Sequence, residues 1–241
     1  MAGSYVAFLQ ESRFFKKGGP GRPYRRCMDT ERSEAKSHTL GDLLRVARER
    51  AVPVVRAIPD EAFAAPTPCA DYDVKALVNH LFQVVVEFQK LAAKGESDFS
   101  ATPDRVGAGP DWRERFAEET DKLVAAWSAP GAEEGTAGAW KMPAGLVGSM
   151  ALLDLTVHVW DLARATGQEY RLDDGVDPVL ERLAGTVAEL APTARSTGVF
   201  AEPVPVAEGA SALERLLGQT GRDPYWNGPA PAVVPPGTVE G

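Results

Sequence analysis

The sequence reads as an all-α protein, an antiparallel four-helix bundle with one or two additional helices near its C-terminus. Three observations lead there. Four long segments place apolar residues at helical spacing. No run alternates apolar and polar residues as a half-buried strand does. The connections are rich in glycine, alanine and proline, which interrupt regular structure. Four such apolar stripes are most simply buried against one another.

The first segment runs from about Thr39 to Ile58, with Leu40, Leu43, Leu44, Ala47, Ala51, Val54 and Val55 on one side. Pro53 within it is expected to bend the helix, because proline removes a backbone donor and crowds the preceding turn. The second lies in "TPCADYDVKALVNHLFQVVVEFQKLAAKG". Asp73 serves as its N-cap, and Gly95 ends it by taking the left-handed conformation. The third spans roughly Asp111 to Trp127, with its charges on one face. "SAPGAEEGTAGAWKMPAG" then reads as a loop. The fourth covers about Gly145 to Thr166 and stops at Gly167. A fifth follows Pro178 through Val179, Leu180, Leu183, Val187 and Leu190, and a short sixth spans about Ser211 to Leu217.

These helices place one domain over residues 39–226, between a disordered leader, 1–38, and a disordered tail, 227–241. The tail, "NGPAPAVVPPGTVEG", holds too much proline and glycine to pack. The net charge of −8 is unevenly spread. Residues 1–27 carry six basic groups against Glu11, a net of +5, which leaves −13 on the rest. The basic stretch 1–27 has neither the apolar run of a secretory signal nor helical periodicity. Met28 follows it directly, and "MDTERSEAKSHTLGDLL" reads as an ordinary protein start. The expected true start is therefore Met28.

An acidic body repels polyphosphate, which argues against a nucleic-acid partner. The longest apolar window is broken by Asp154 and His158, so no membrane span is expected. Cys27 and Cys69 are the only cysteines and make no disulfide framework, which points to a reducing cytoplasm.

The chemistry concentrates in "ALLDLTVHVWDLARATG", residues 151–167. A helix turns about 100° per residue, so Asp154 and His158 share a face one turn apart. That helix is apolar nearly all round, which marks it as interior. A buried carboxylate is costly unless compensated, and a divalent cation held by both groups compensates it. His80 belongs to the inward stripe of the second helix with Leu77, Val84 and Leu91. Gln83, one turn on, is placed to support His80 by hydrogen bonding. Glu87 lies two turns on, too far to share the same ion.

His80, Asp154 and His158 thus form a two-histidine, one-carboxylate set from two helices. Three protein ligands leave a position open, as in catalytic zinc sites. Spacing alone leaves two plainer readings open: a direct Asp154–His158 hydrogen bond, and a satisfied core histidine at His80.

Asp161 is placed to orient His158 or to form a surface ion pair. Arg164 reads as an ion-pair residue, Cys69 as a structural thiol and Trp160 as core. Arg222, Asp223 and Trp226 read as locking the C-terminal segment onto the bundle. Phosphate-binding glycine loops, nucleophile elbows and paired-cysteine metal spacings are absent.

"PTPCADYDVKALVNHL" with "LLDLTVHVWDLARATG" resembles the actinobacterial branch of the DinB-like metal-binding proteins, and is similar to the N-terminal domain of mycothiol-dependent maleylpyruvate isomerases. "GRDPYW", residues 221–226, is typical of the same branch. The resemblance covers roughly Thr39 to Trp226. It implies a four-helix bundle binding zinc or another divalent metal through residues that correspond to His80, Asp154 and His158. In the characterised isomerases the middle ligand is glutamate; here it is Asp154, one methylene shorter.

The implied activity is metal-dependent activation of a thiol, mycothiol, for transfer to or isomerisation of an electrophilic small molecule. A non-catalytic metal-binding or interaction protein on the same scaffold is the alternative, and a metal-assisted hydrolase is a third.

Overall fold

The computed structural model describes residues 38–170 and 175–228. The expected disorder of the leader and tail concerns residues that, apart from their inner edges, lie outside the described ones. Among the described residues the protein is mostly helical: α1 (Leu40–Arg56), α2 (Val74–Ala92), α3 (Trp112–Trp127), α4 (Ala144–Ala165), α5 (Asp177–Ser196) and α6 (Ala212–Gln219). A single 3-10 turn, Asp60–Ala62, follows α1.

Local chemistry explains where the helices begin. Thr39 and Asp42 form a capping box on α1, each side chain accepting from the other's backbone N–H at 3.2 Å. Asp73 caps α2 by accepting from Ala76 N at 2.8 Å. Ser211 and Glu214 form a second capping box on α6.

The end of α2 differs from expectation. Lys94, not Gly95, takes the left-handed conformation, at φ +61°, while Gly95 N donates to Lys90 O at 2.8 Å. This is a Schellman closure, with Gly95 in the second position beyond the cap. α1 continues through Pro53 to Arg56. The expected loop before α4 contains a hairpin, β1 (Thr136–Ala137) paired antiparallel with β2 (Met142–Pro143). Two residues per strand are too few for alternation to show in a sequence.

α1 packs against α3 and α4, and α2 packs against the same two, so the four close a ring around a common core. α5 lies against α4, and α6 against α5. α4 is buried without a break from Val147 to Ala163. By length and composition it is apolar enough to cross a bilayer despite Asp154 and His158, yet 94% of its most apolar window is buried inside the protein. Gly148 makes its close approach possible: a Cβ there would stand 2.1 Å from Leu40 Cδ2 and 2.8 Å from the Trp127 ring.

Candidate metal centre

The contact between α2 and α4 brings His80 to Asp154 and His158. All three side chains are buried, and one donor atom from each lies within 4.8 Å of the other two. They line a cavity of about 80 Å³ whose walls also come from the turn before α2, residues 198–200 and the segment after α6. The imidazoles of His80 and His158 meet edge to face, centroids 5.1 Å apart at 89°. Tyr72 stacks on His80 at 5.2 Å and presents its ring to His158 at 6.4 Å, bracing both.

His158 Nε2 approaches Asp154 Oδ1 at 3.7 Å, beyond hydrogen-bond length. The direct Asp154–His158 bond that spacing had left open is therefore not made. His158 instead uses its other nitrogen: Nδ1 lies 3.0 Å from Asp161 Oδ2. A carboxylate only accepts, so Nδ1 is the donor in that contact, and the ring is held with Nε2 toward Asp154.

Burial, helped by neighbouring His158 and Arg222, holds His80 well below the usual histidine pKa. Its neutral ring is the form that ligates a metal. Ligands about 2.0–2.2 Å from one zinc ion stand roughly 3.4 Å apart in a tetrahedron. The 3.7 Å between His158 Nε2 and Asp154 Oδ1 is close to that, the separations to His80 are no more than 4.8 Å, and the donor chemistry fits a divalent ion.

Asp161, 0% exposed, is not the surface residue of one sequence reading. Arg222 reaches it from beyond α6, with Nη2 3.4 Å from Asp161 Oδ2 and 3.3 Å from Cys69 Sγ, while Nη1 donates to Thr220 O. Cys69, His158 and Asp161 also cluster within 4.8 Å, but the Arg222 guanidinium already supplies a cation there. Burial pushes the Cys69 thiol up to about 11 and the Tyr72 phenol up to about 12.

Three expectations are corrected. Gln83 does not support His80; its amide donates to Asp98 O at 2.6 Å. Arg164, read as an ion-pair residue, donates to the Trp226 carbonyl and so itself ties down the C-terminal segment. Arg222 does more than lock that segment, since it lines the cavity. Neither Tyr72 nor Arg222 carries a readable signal of its place in the site. Arg222 is 61 residues from Asp161, and no periodicity links them.

The family model for the mycothiol maleylpyruvate isomerase N-terminal domain matches this chain across the whole three-residue set. Residues 44–163 belong to that family. It is a mycothiol-related, metal-binding helical family, and the match to the isomerase N-terminal domain ends before Arg222. The chain is also similar to two uncharacterized proteins of Mycobacterium tuberculosis, Rv0738 and MT0763. Each is 29% identical over 168 residues, covering 67% of this chain and 86% of the relative. No solved structure gives a significant match.

Proposed function

We propose that the protein holds one divalent cation, zinc, on His80, Asp154 and His158. We further propose that it activates a low-molecular-weight thiol, mycothiol, for transfer to or isomerisation of an electrophilic small molecule. The observation that carries this reading is the convergence of three buried donors on the wall of a cavity. A bound divalent ion supplies positive charge that favours a thiolate over a thiol, and three protein ligands leave it a position for that sulfur.

The remaining tasks fall to the chain itself. Asp161 holds the proton of His158 on Nδ1 and fixes the ring. Tyr72 keeps the His80 ring in place. Phe99, Leu153, Val157 and Phe200 restrict water at the cavity. The closed ring of α1, α3, α2 and α4 supports the antiparallel four-helix bundle as the scaffold. The acidic body and the cysteine usage support a cytoplasmic protein with small-molecule partners, not nucleic acid or membrane.

The test is transfer of mycothiol by metal-loaded protein to a bimane, or isomerisation of maleylpyruvate. Activity that disappears in His158→Ala supports the reading, and activity that persists there refutes it. The shorter carboxylate of Asp154 favours a second reading, a metal-binding protein without turnover. It predicts stoichiometric metal and no reaction across a panel of thiols and electrophiles.

A further inference from the structure

Tyr72 brings the cavity a hydroxyl that the metal set does not use. The residue precedes α2, is half-buried and lines the cavity. Its ring is fixed by contact with both imidazoles, His80 and His158. The ionisable groups felt at its phenol are Cys69, Asp154, Asp71 and Arg222, and Asp154 belongs to the metal set. All four line the cavity, so the phenol oxygen faces it. That oxygen has no hydrogen-bond partner among the described residues, yet it is not sealed off, and a ligand can reach it.

The other donors of the cavity wall already donate within the protein. Gln83 Nε2 bonds Asp98 O at 2.6 Å, and the Thr220 hydroxyl bonds Leu217 O at 3.0 Å. Arg222 uses Nη1 on Thr220 O and Nη2 on Asp161 and Cys69. Thr102 also carries a hydroxyl, but it is exposed, whereas Tyr72 packs on two residues of the metal set. A phenol donates at neutral pH, and a thiol such as Cys69 is a weak donor beside it. Hydrogen bonds to an anionic acceptor are roughly twice as strong as neutral ones, so a thiolate sulfur in this cavity gains most from such a donor.

We propose that Tyr72 is a thiolate-binding residue whose hydroxyl donates a hydrogen bond to the sulfur of the bound thiol. The bond favours the anionic sulfur and fixes where it sits. This inference rests on the reading of the cavity as a thiol site.

The experiment titrates cobalt-substituted wild type and Tyr72→Phe, without oxygen, with ethanethiol. Sulfur is the only atom of that probe able to accept a hydrogen bond, and phenylalanine keeps the ring on His80 while removing the hydroxyl alone. The sulfur-to-cobalt charge-transfer band reports both the dissociation constant and the electron density on sulfur. Tyr72→Phe is expected to bind ethanethiol roughly tenfold more weakly. Its band should lie at longer wavelength, because a sulfur without the bond gives up charge more easily. Cobalt affinity should be unchanged.

Equal ethanethiol affinity and an unmoved band in Tyr72→Phe overturn the role of the hydroxyl and leave the thiol reading standing. Weaker binding with an unmoved band also overturns it, since the loss then does not act at the sulfur. Loss of cobalt or of the fold in Tyr72→Phe overturns it by making the hydroxyl part of the scaffold. No band in wild type overturns the thiol reading and this inference together.

Discussion

Asp161→Asn removes a charge while nearly keeping the side chain's shape, and it acts on two neighbours at once. Asp161 is fully buried, accepts from His158 Nδ1 at 3.0 Å and faces Arg222 Nη2 at 3.4 Å. At an effective dielectric of about 20, the attraction across that gap to Arg222 is roughly 5 kcal/mol, most of it offset by the desolvation of both groups. Removing one partner exposes that desolvation cost. The Arg222 side chain, 9% exposed, keeps its charge with no carboxylate in contact, a loss of roughly 3–5 kcal/mol.

In a protein of this size about 1 kcal/mol corresponds to about 2–4 °C, so metal-free Asp161→Asn should melt roughly 6–20 °C below wild type. Metal affinity should fall about 10- to 100-fold, since asparagine still accepts the Nδ1 proton but no longer raises the basicity of His158. Scanning calorimetry with a chelator present measures the first effect, and competition against a chromophoric chelator measures the second. Arg222→Met should also destabilise, and the double variant should recover most of the loss, because replacing both members of a buried pair is often nearly neutral. A melting point within about 2 °C of wild type, or an unchanged metal affinity, would refute the coupling from Arg222 through Asp161 to His158.

Gly148→Ala should cost about 1–3 kcal/mol in urea unfolding, because the new methyl meets Leu40 and the Trp127 ring well inside contact distance. Thr39→Ala should cost about 1 kcal/mol near neutral pH by removing the α1 cap. The Thr39 hydroxyl, with Arg45 second, holds Asp42 at about 2 instead of 3.8. A folded pKa below the unfolded one means that this contribution is complete above 3.8 and fades as pH falls toward 2. The gap between urea titrations of wild type and Thr39→Ala should therefore narrow through that window, leaving the part due to the bond from Asp42 N to the Thr39 hydroxyl. A gap that stays constant through it would separate the cap from the carboxylate.

The helices were legible because an amphipathic period survives in the sequence whatever the partner. The stripe from Leu40 to Val55 and the one from Leu77 to Leu91 both became buried faces. The pairing of His80 with Asp154 and His158 was legible for the same reason, since each sat on an inward stripe of a long helix. What could not be read depends on contacts between distant segments. Arg222 enters the site because the chain beyond α6 folds back over α4, and Tyr72 because the turn before α2 lays its ring on His80. The role of Gln83 turned on a loop carbonyl, Asp98 O, that no helical spacing locates. The left-handed Lys94 shows a milder limit: Gly95 correctly marked the end of α2, but backbone closure assigned the unusual φ to its neighbour.

The central claim is that two imidazoles and one carboxylate share a cation. Elemental analysis of protein purified without a histidine tag, for wild type and His80→Ala, tests it most directly. The account predicts close to one equivalent of a divalent metal in wild type and almost none in the variant. A metal-free wild type, or equal metal in both proteins, would contradict it.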